Sequence, residues 1–375
     1  MILRTFGWSF AVTVLGLIVA FLYGGGVGLA LVAVLAVLEI SLSFDNAVVN
    51  AKVLERMAPF WQKIFLTVGI AIAVFGMRLV FPLVIVGITA SLGPIEAFDL
   101  ALRDSERYHE LMREAYPTIA SFGGMFLMML FLEFVFEERA DKWLPWLEAP
   151  LARIGKLNQL AVVVAGGALV AVANYVAEDP GDVMIAGVLG MLTYLLVNGL
   201  GELFSEAGGV DSDDEDEDAG DQAAAPARRG PSDLAVATGK AGFFLFLYLE
   251  VLDASFSFDG VIGAFAISTD PIVIALGLGI GAMYIRSLTV FLVRKGTLHE
   301  YVYLEHGAHW AIGALAVCML IGVGHHVPEW ITGGLGAGLI IAAFLSSVMR
   351  NRRAESEAGA EGAGEGKQQL HSTQV

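Results

Sequence analysis

The chain reads as all-α, a polytopic transmembrane helix bundle of about ten spans arranged as a five-plus-five inverted repeat. Three observations predict this. Hydrophobic residues make up 56% of the chain, mean hydropathy is +0.69, and apolar runs of about 20 residues recur from end to end, the length a helix needs to cross the hydrocarbon core. Lys and Arg alternate between dense and bare connections. One polar phrase occurs twice inside apolar stretches: Glu39-Ile-Ser41-Leu-Ser43-Phe-Asp45-Asn46 and Asp253-Ala-Ser255-Phe-Ser257-Phe-Asp259-Gly260.

The first half (1–181) supplies apolar windows at 6–23, 27–49, 64–88, 119–136 and 159–177. The first could begin as a signal peptide after Met1 to Arg4, but no small-x-small cleavage site precedes Gly24-Gly25-Gly26, so it is kept as a helix. Between the third and fourth windows, residues 90–117 place Ile95, Phe98, Leu102, Leu111 and Met112 among charges, the pattern of an external helix lying on the membrane or capping the bundle. The second half (182–349) supplies windows at 182–203, 236–263, 271–293, 307–324 and 329–349. It is interrupted by an acidic, then Ala-, Pro- and Gly-rich stretch at 205–232, expected to be a solvated cytoplasmic linker. Residues 350–375 are expected to form a disordered cytoplasmic tail.

Orientation follows from the basic residues. Lys52, Arg56 and Lys63, then Arg139, Lys142, Arg153 and Lys156, then Arg228 and Arg229, then Arg294 and Lys295 fall on one side, with Arg350, Arg352 and Arg353 after the last window. The opposite connections Gly24–Gly26, Glu178–Gly181, Ser268–Asp270 and His325–Pro328 carry no Lys or Arg. The chain is therefore expected in the inner (plasma) membrane with both termini in the cytoplasm. Aligning the two polar phrases matches window two with window seven and puts Arg78 and Arg286 in the neighbouring windows three and eight. Five is odd, so the second copy enters the bilayer inverted, and the expected site lies near the midplane where the halves meet.

An ionised carboxylate at the bilayer centre costs about 2.5–3.5 kcal/mol on insertion scales, so a twice-used pair marks a functional site. On a straight helix Glu39 and Asp45 lie roughly 120° apart around the axis, so convergence on one ion calls for local unwinding at Ser-Phe-Asp in both copies. The candidate ligand set is Glu39, Asp45, Asn46, Asp253, Asp259 and Glu250, supported by the hydroxyls of Ser41, Ser43, Ser255 and Ser257. Hard oxygen donors suit Mg²⁺, Ca²⁺ or Mn²⁺. Four carboxylates in a small volume cannot all stay ionised without a cation, so proton and metal compete for the same oxygens, the basis of proton-coupled exchange. Arg78 and Arg286 need acceptors, and the neighbouring carboxylates supply them, either to keep the centre neutral or simply to staple helices.

Other polar residues have structural explanations. Glu133, Asn174, Asn198 and Glu202 fit helix–helix hydrogen bonding as well as a pathway. Glu305, His306 and His309 have metal-ligand spacing but sit at an expected interface, where histidines are ordinary. Gly123-Gly124 and Gly277-x-Gly279-x-Gly281 suit close helix packing, since no strand precedes them to make a phosphate loop. A single cysteine, Cys318, excludes an internal disulfide. No enzyme activity is expected: the Gly-x-Gly-Asp phrase of intramembrane aspartyl proteases is absent. The net charge of -17 gives no reason to expect a nucleic-acid partner, and no resident cofactor is expected.

The doubled acid phrase, the membrane arginines and Leu304-Glu-His-Gly-Ala-His-Trp310 resemble the TerC family of integral membrane proteins, in the branch filed as a domain of unknown function, over about Val27 to Val323. That resemblance implies membership of the LysE-type transporter superfamily, a group that includes manganese exporters and is linked to tellurium resistance. By it, Glu39, Asp45, Asp253 and Asp259 are the metal-handling acids. The expected function is export of a divalent cation, Mn²⁺ first, by proton antiport. The alternatives are a membrane scaffold of a metal or tellurite stress-response complex, engaging a cytoplasmic partner at the acidic linker, and an amino-acid exporter. The bilayer and the cation are the expected partners, and homo-oligomerisation stays open.

Overall fold

The structure, a computed structural model, describes residues 2–372 apart from 158, 209–238, 266, 269 and 296–299. The side chains of Ser41, Asp45, Glu202 and Asp259 and most of the expected linker lie outside the described residues. Every described element is helical: α1 (Ile2–Leu42), α2 (Phe44–Glu55), α3 (Pro59–Ile64), two π-helical segments (Phe65–Gly69 and Ile72–Val80), α4 (Phe81–Thr89), α5 (Pro94–Arg103) and α6 (Ser105–Phe136). There follow α7 (Pro145–Ile154), α8 (Leu160–Tyr175), α9 (Pro180–Gly208), α10 (Gly239–Phe265), α11 (Pro271–Lys295), α12 (Leu304–Gly322) and α13 (Glu329–Ser372). Among the described residues each of the ten apolar windows falls mainly on one or more of these helices, residues 236–238 of the seventh lying outside them. By length and composition, six of the described helices can cross a membrane, or seven if the bent pair Pro59–Gly69 and Ile72–Ile88 counts as one span.

The 41 residues of α1 would extend ~60 Å if straight, twice the hydrocarbon thickness. They do not run straight. Gly25 has φ 61° and ψ −150°, a conformation open essentially only to glycine. A Cβ on Gly28 would stand 2.8 Å from the carbonyl oxygen of Ala20, whereas eight residues of helix separate such atoms by ~12 Å. The contacts with α11 give the direction. Ser9 Oγ meets the Met283 carbonyl at 3.0 Å and Ser287 Oγ at 2.7 Å, while Tyr23 donates to Asp270 at 3.0 Å, so the first leg runs antiparallel to α11. Beyond the glycines, Gly277 packs on Val32 and Leu35, and Gly281 on Ala36 and Glu39, so the second leg runs parallel to it. α1 is a helical hairpin clasping α11, and the glycines of α11 are where the second leg comes closest.

Two buried apolar clusters hold the bundle. One joins α2, α6, α8, α9, α10 and α12. The other joins α1, α4, α5, the first turns of α6, and α11. α10 contributes Leu249, Leu252 and Phe256 to the first and Val261 and Ala264 to the second, so the phrase Asp253–Gly260 lies at their junction.

Three expectations change. The local opening expected in both phrases is absent from the second: α10 is unbroken, because Ser255 Oγ donates to the Val251 carbonyl one turn back at 3.0 Å and is satisfied without unwinding. In the first copy the irregularity is confined to Ser43, with φ −100° and ψ 15° between α1 and α2. The segment 90–117 divides differently from the expectation. α5 is the short amphipathic helix, burying Ala97 and Ala101, but α6 then runs unbroken from Ser105 through Pro117 to Phe136, ~48 Å, so its charged first turns reach past an apolar core. The tail expected to be disordered continues α13 as helix to Ser372, consistent with its Ala, Glu and Arg content.

The hairpin gives the first prediction. Gly25→Ala forces an alanine into a glycine-only conformation and should destabilise the protein by about 1–3 kcal/mol, read as a lower unfolding midpoint in detergent, while Gly24→Ala stays near wild type. Equal midpoints for the two variants would show that the turn is not fixed at Gly25.

Candidate functional site

Each polar phrase is neutralised by an arginine from the next helix of its own half. In the first, Glu39 is 1% exposed and its Oε1 accepts from Ser43 Oγ at 2.9 Å. The same oxygen forms an ion pair with Arg78, which is itself buried. Arg78 sits in the π-helical segment Ile72–Val80 and also donates to the carbonyl of Ala73. π turns are rare and concentrate at functional sites; here the wider turn carries the guanidinium to the acid. In the second phrase, Arg286 Nη2 lies 3.2 Å from Asp253 Oδ2 and 3.9 Å from Glu250 Oε1. It also reaches the Gly69 carbonyl at 3.4 Å, and its guanidinium lies 3.9 Å from the centroid of the Phe65 ring, so the other π-helical segment cradles it.

The two phrases then dock on one another. Asn46 Nδ2 donates to Asp253 Oδ1 at 2.6 Å. In the reciprocal place, where Gly260 aligns with Asn46 and Glu39 with Asp253, a Cβ on Gly260 would stand 3.0 Å from Glu39 Oε2. The last residue of each phrase thus abuts the first acid of the other, with the backbones antiparallel. The structure brings together Glu39, Asn46, Glu250, Asp253, Arg78 and Arg286, with Ser43 and Ser257 buried between them in sequence. Ser255 is spent on its own backbone. Ser41, Asp45 and Asp259 belong to the same helices, their side chains outside the described residues.

The described side chains do not form a closed metal cage. Among the described residues no three His, Cys, Asp or Glu side chains stand close enough to hold one ion. Three described carboxylates face two guanidiniums, which leaves one negative charge if all ionise. Several buried polar atoms lack hydrogen-bond partners: both oxygens of Glu250, both amide atoms of Asn50, Ser257 Oγ, Arg78 Nε and Arg286 Nη1. Such atoms are rare in folded proteins, and each calls for a water, an ion or a functional role to account for it. A cavity of about 120 Å³ opens beside Arg78, walled by Phe98 and Leu102 of α5, Tyr108, Val261 and Ile274, so α5 roofs one side of the centre.

Other polar groups cluster elsewhere. Glu148, 5% exposed, accepts from the Trp143 backbone N–H at 3.1 Å and Trp310 Nε1 at 3.0 Å, and lies 3.2 Å from His306 Nδ1. It ties α7 to α12. Glu305 is held between Lys52 at 3.2 Å and Arg139 at 3.1 Å, and His309 stacks on Phe134 at 3.7 Å. The metal-ligand spacing of Glu305, His306 and His309 therefore resolves into three separate engagements. Glu133 accepts from Tyr194 at 2.8 Å, and Asn174 bonds its own helix at the Val170 carbonyl. Sequence reasoning passed over Asn50 and Glu148. Asn50 carried one signal, its place one turn after Asn46 on the same helix face.

The family model for a protein of unknown function, DUF475, matches residues 44–354, and the chain belongs to that family. Proteins described as the membrane-bound redox modulator Alx, from Shigella flexneri and Escherichia coli (strain K12), are each 25% identical over 120 residues, 31% of this chain. The chain spans 35% of the length of those relatives. No solved structure matches it. The chain is thus a membrane protein of a family whose name assigns no activity.

Removing one partner of a buried ion pair leaves a charge uncompensated, at a cost of about 3–5 kcal/mol. Arg286→Met should lower stability by that order, and Arg286→Met combined with Asp253→Asn should recover most of it in a double-mutant cycle of unfolding midpoints. Additive losses would mean that the pair is not coupled.

Proposed function

We propose that this protein is a secondary transporter that exports a divalent metal cation, Mn²⁺ first among them, in exchange for protons. The observation that carries the reading is the reciprocal docking of the two acid phrases, each with its own buried arginine. Two copies of one phrase meeting antiparallel is what an inverted repeat with a shared midplane site requires. The ten helical windows and the one-sided distribution of Lys and Arg support a five-plus-five arrangement in the inner membrane with both termini in the cytoplasm. The resemblance to the TerC family and its manganese exporters supports the cargo.

The chemistry follows from competition. Carboxylate oxygens that accept from a guanidinium are also hard donors for Mn²⁺, Mg²⁺ or Ca²⁺. A cation arriving between the phrases takes Asp253 and Glu39 from Arg286 and Arg78, and the resemblance implies Asp45 and Asp259 as the further acids of the set. Protons compete for the same oxygens, so metal release to one side and proton entry from that side are linked. The redox description of the relatives does not carry over as thiol exchange within the chain, because its one cysteine, Cys318, is buried in α12.

Purified protein in liposomes, with a Mn²⁺-quenched dye and a pH dye inside, tests the reading. Wild type should move Mn²⁺ with protons flowing oppositely, and Asp253→Asn or Glu39→Gln should each cut flux at least tenfold. Folded wild type that moves neither Mn²⁺, Mg²⁺ nor Ca²⁺ would refute it.

A further inference from the structure

We infer that Asn50 is a binding residue of the cation site, which it forms with Glu250 at the cytoplasmic end of the paired phrases; the inference rests on the cation reading above. Asn50 is 0% exposed, and neither its Oδ1 nor its Nδ2 has a hydrogen-bond partner. A primary amide so enclosed needs a reason, since buried polar groups otherwise find partners. Glu250 repeats the pattern: it is 8% exposed, and neither carboxylate oxygen accepts a hydrogen bond.

The register places the two together. Asn46 bonds Asp253, and just past the end of α2 the ring of Trp61 packs on Phe243 and Phe246 near the start of α10, at 5.9 and 6.0 Å, so α2 and α10 run antiparallel. One turn onward along α2 is residue 50, about 40° around the helix from residue 46. One turn back along α10 is residue 250. Both steps lead the same way, toward the ends that carry Lys52 and Lys240, the cytoplasmic side in the proposed orientation.

The surroundings make room for a ligand. Gly69, on the π-helical segment, lies so close that a Cβ there would stand 2.6 Å from Glu250 Oε1, so the absent side chain is what admits the carboxylate. Arg286 is already committed to Asp253 at 3.2 Å and meets Glu250 only at 3.9 Å. The pair is also asymmetric: the residue that aligns with Glu250 in the first half is Ala36. The second carboxylate is therefore not a product of the repeat. One neutral oxygen and one carboxylate suit a divalent cation that keeps part of its water shell, whose waters can donate to the Glu250 carboxylate and to Asn50 Oδ1. Asn50 and Glu250 receive the hydrated ion before Asp253 and Glu39 do.

Mn²⁺ titration of the purified full-length chain in detergent, read by electron paramagnetic resonance together with the unfolding midpoint, tests this. Asn50→Leu removes both polar atoms at similar volume. It should weaken Mn²⁺ affinity about ten- to a hundredfold while leaving the midpoint unchanged or higher, because an orphaned amide has been replaced by an apolar group. Asn50→Asp should restore binding. Affinity unchanged in Asn50→Leu with wild-type binding intact would overturn the role of Asn50 and leave the cation reading standing. A lower midpoint in Asn50→Leu with unchanged affinity would likewise assign it to structure alone. Wild type that binds no Mn²⁺ would overturn both.

Discussion

The structure depends on one constraint, the cost of burying charge where water cannot follow. Glu39 and Asp253 are almost wholly enclosed, and neither could remain so without an ionic partner. Arg78 and Arg286 supply that partner, and supplying it dictates much of the architecture. Each arginine must reach its acid at the right depth, Arg78 from the π-helical segment Ile72–Val80 to Glu39 on the second leg of α1, and Arg286 from α11 to Asp253 on α10. The close approach of that leg to α11 in turn needs Gly277 and Gly281. Helix packing and charge neutralisation are therefore one problem in this fold.

On the proposed reading, the same pairing that makes the centre stable makes it exchangeable. A carboxylate bound to a guanidinium is neutralised without being consumed, and a divalent ion or a proton can take the guanidinium's place. Asn46 adds a link that neither half could make alone, because it joins the acid of the opposite phrase. Anything that moves one phrase relative to the other changes the coordination of both. On the proposed reading, such movement is what would open the site alternately to two sides.

Much of this was legible in the residues, for identifiable reasons. Hydropathy windows of about 20 residues and the bare Gly24–Gly26 turn mark helices and a reversal because the bilayer imposes the length. The doubled phrase and its arginines stood out because charge in an apolar run has few innocent explanations. What stayed hidden was local. The π-helical turns around Gly69 and Arg78 follow from tertiary demands that no periodicity announces. The continuity of α6 was hidden too, for it carries Pro117 inside it and runs on from the charged segment into the apolar window. Asn50 and Glu148 were passed over, and it is their enclosure that singles them out.

The central claim is that divalent cations and protons compete for the carboxylates at the junction of the two phrases. Titration calorimetry of the full-length chain with Mn²⁺, repeated in two buffers of different ionisation enthalpy, measures the protons released per ion bound. The account predicts release of at least one proton per Mn²⁺ near neutral pH, and its loss when Asp253 and Glu250 are both replaced by amides. Mn²⁺ binding with the same enthalpy in both buffers would contradict it.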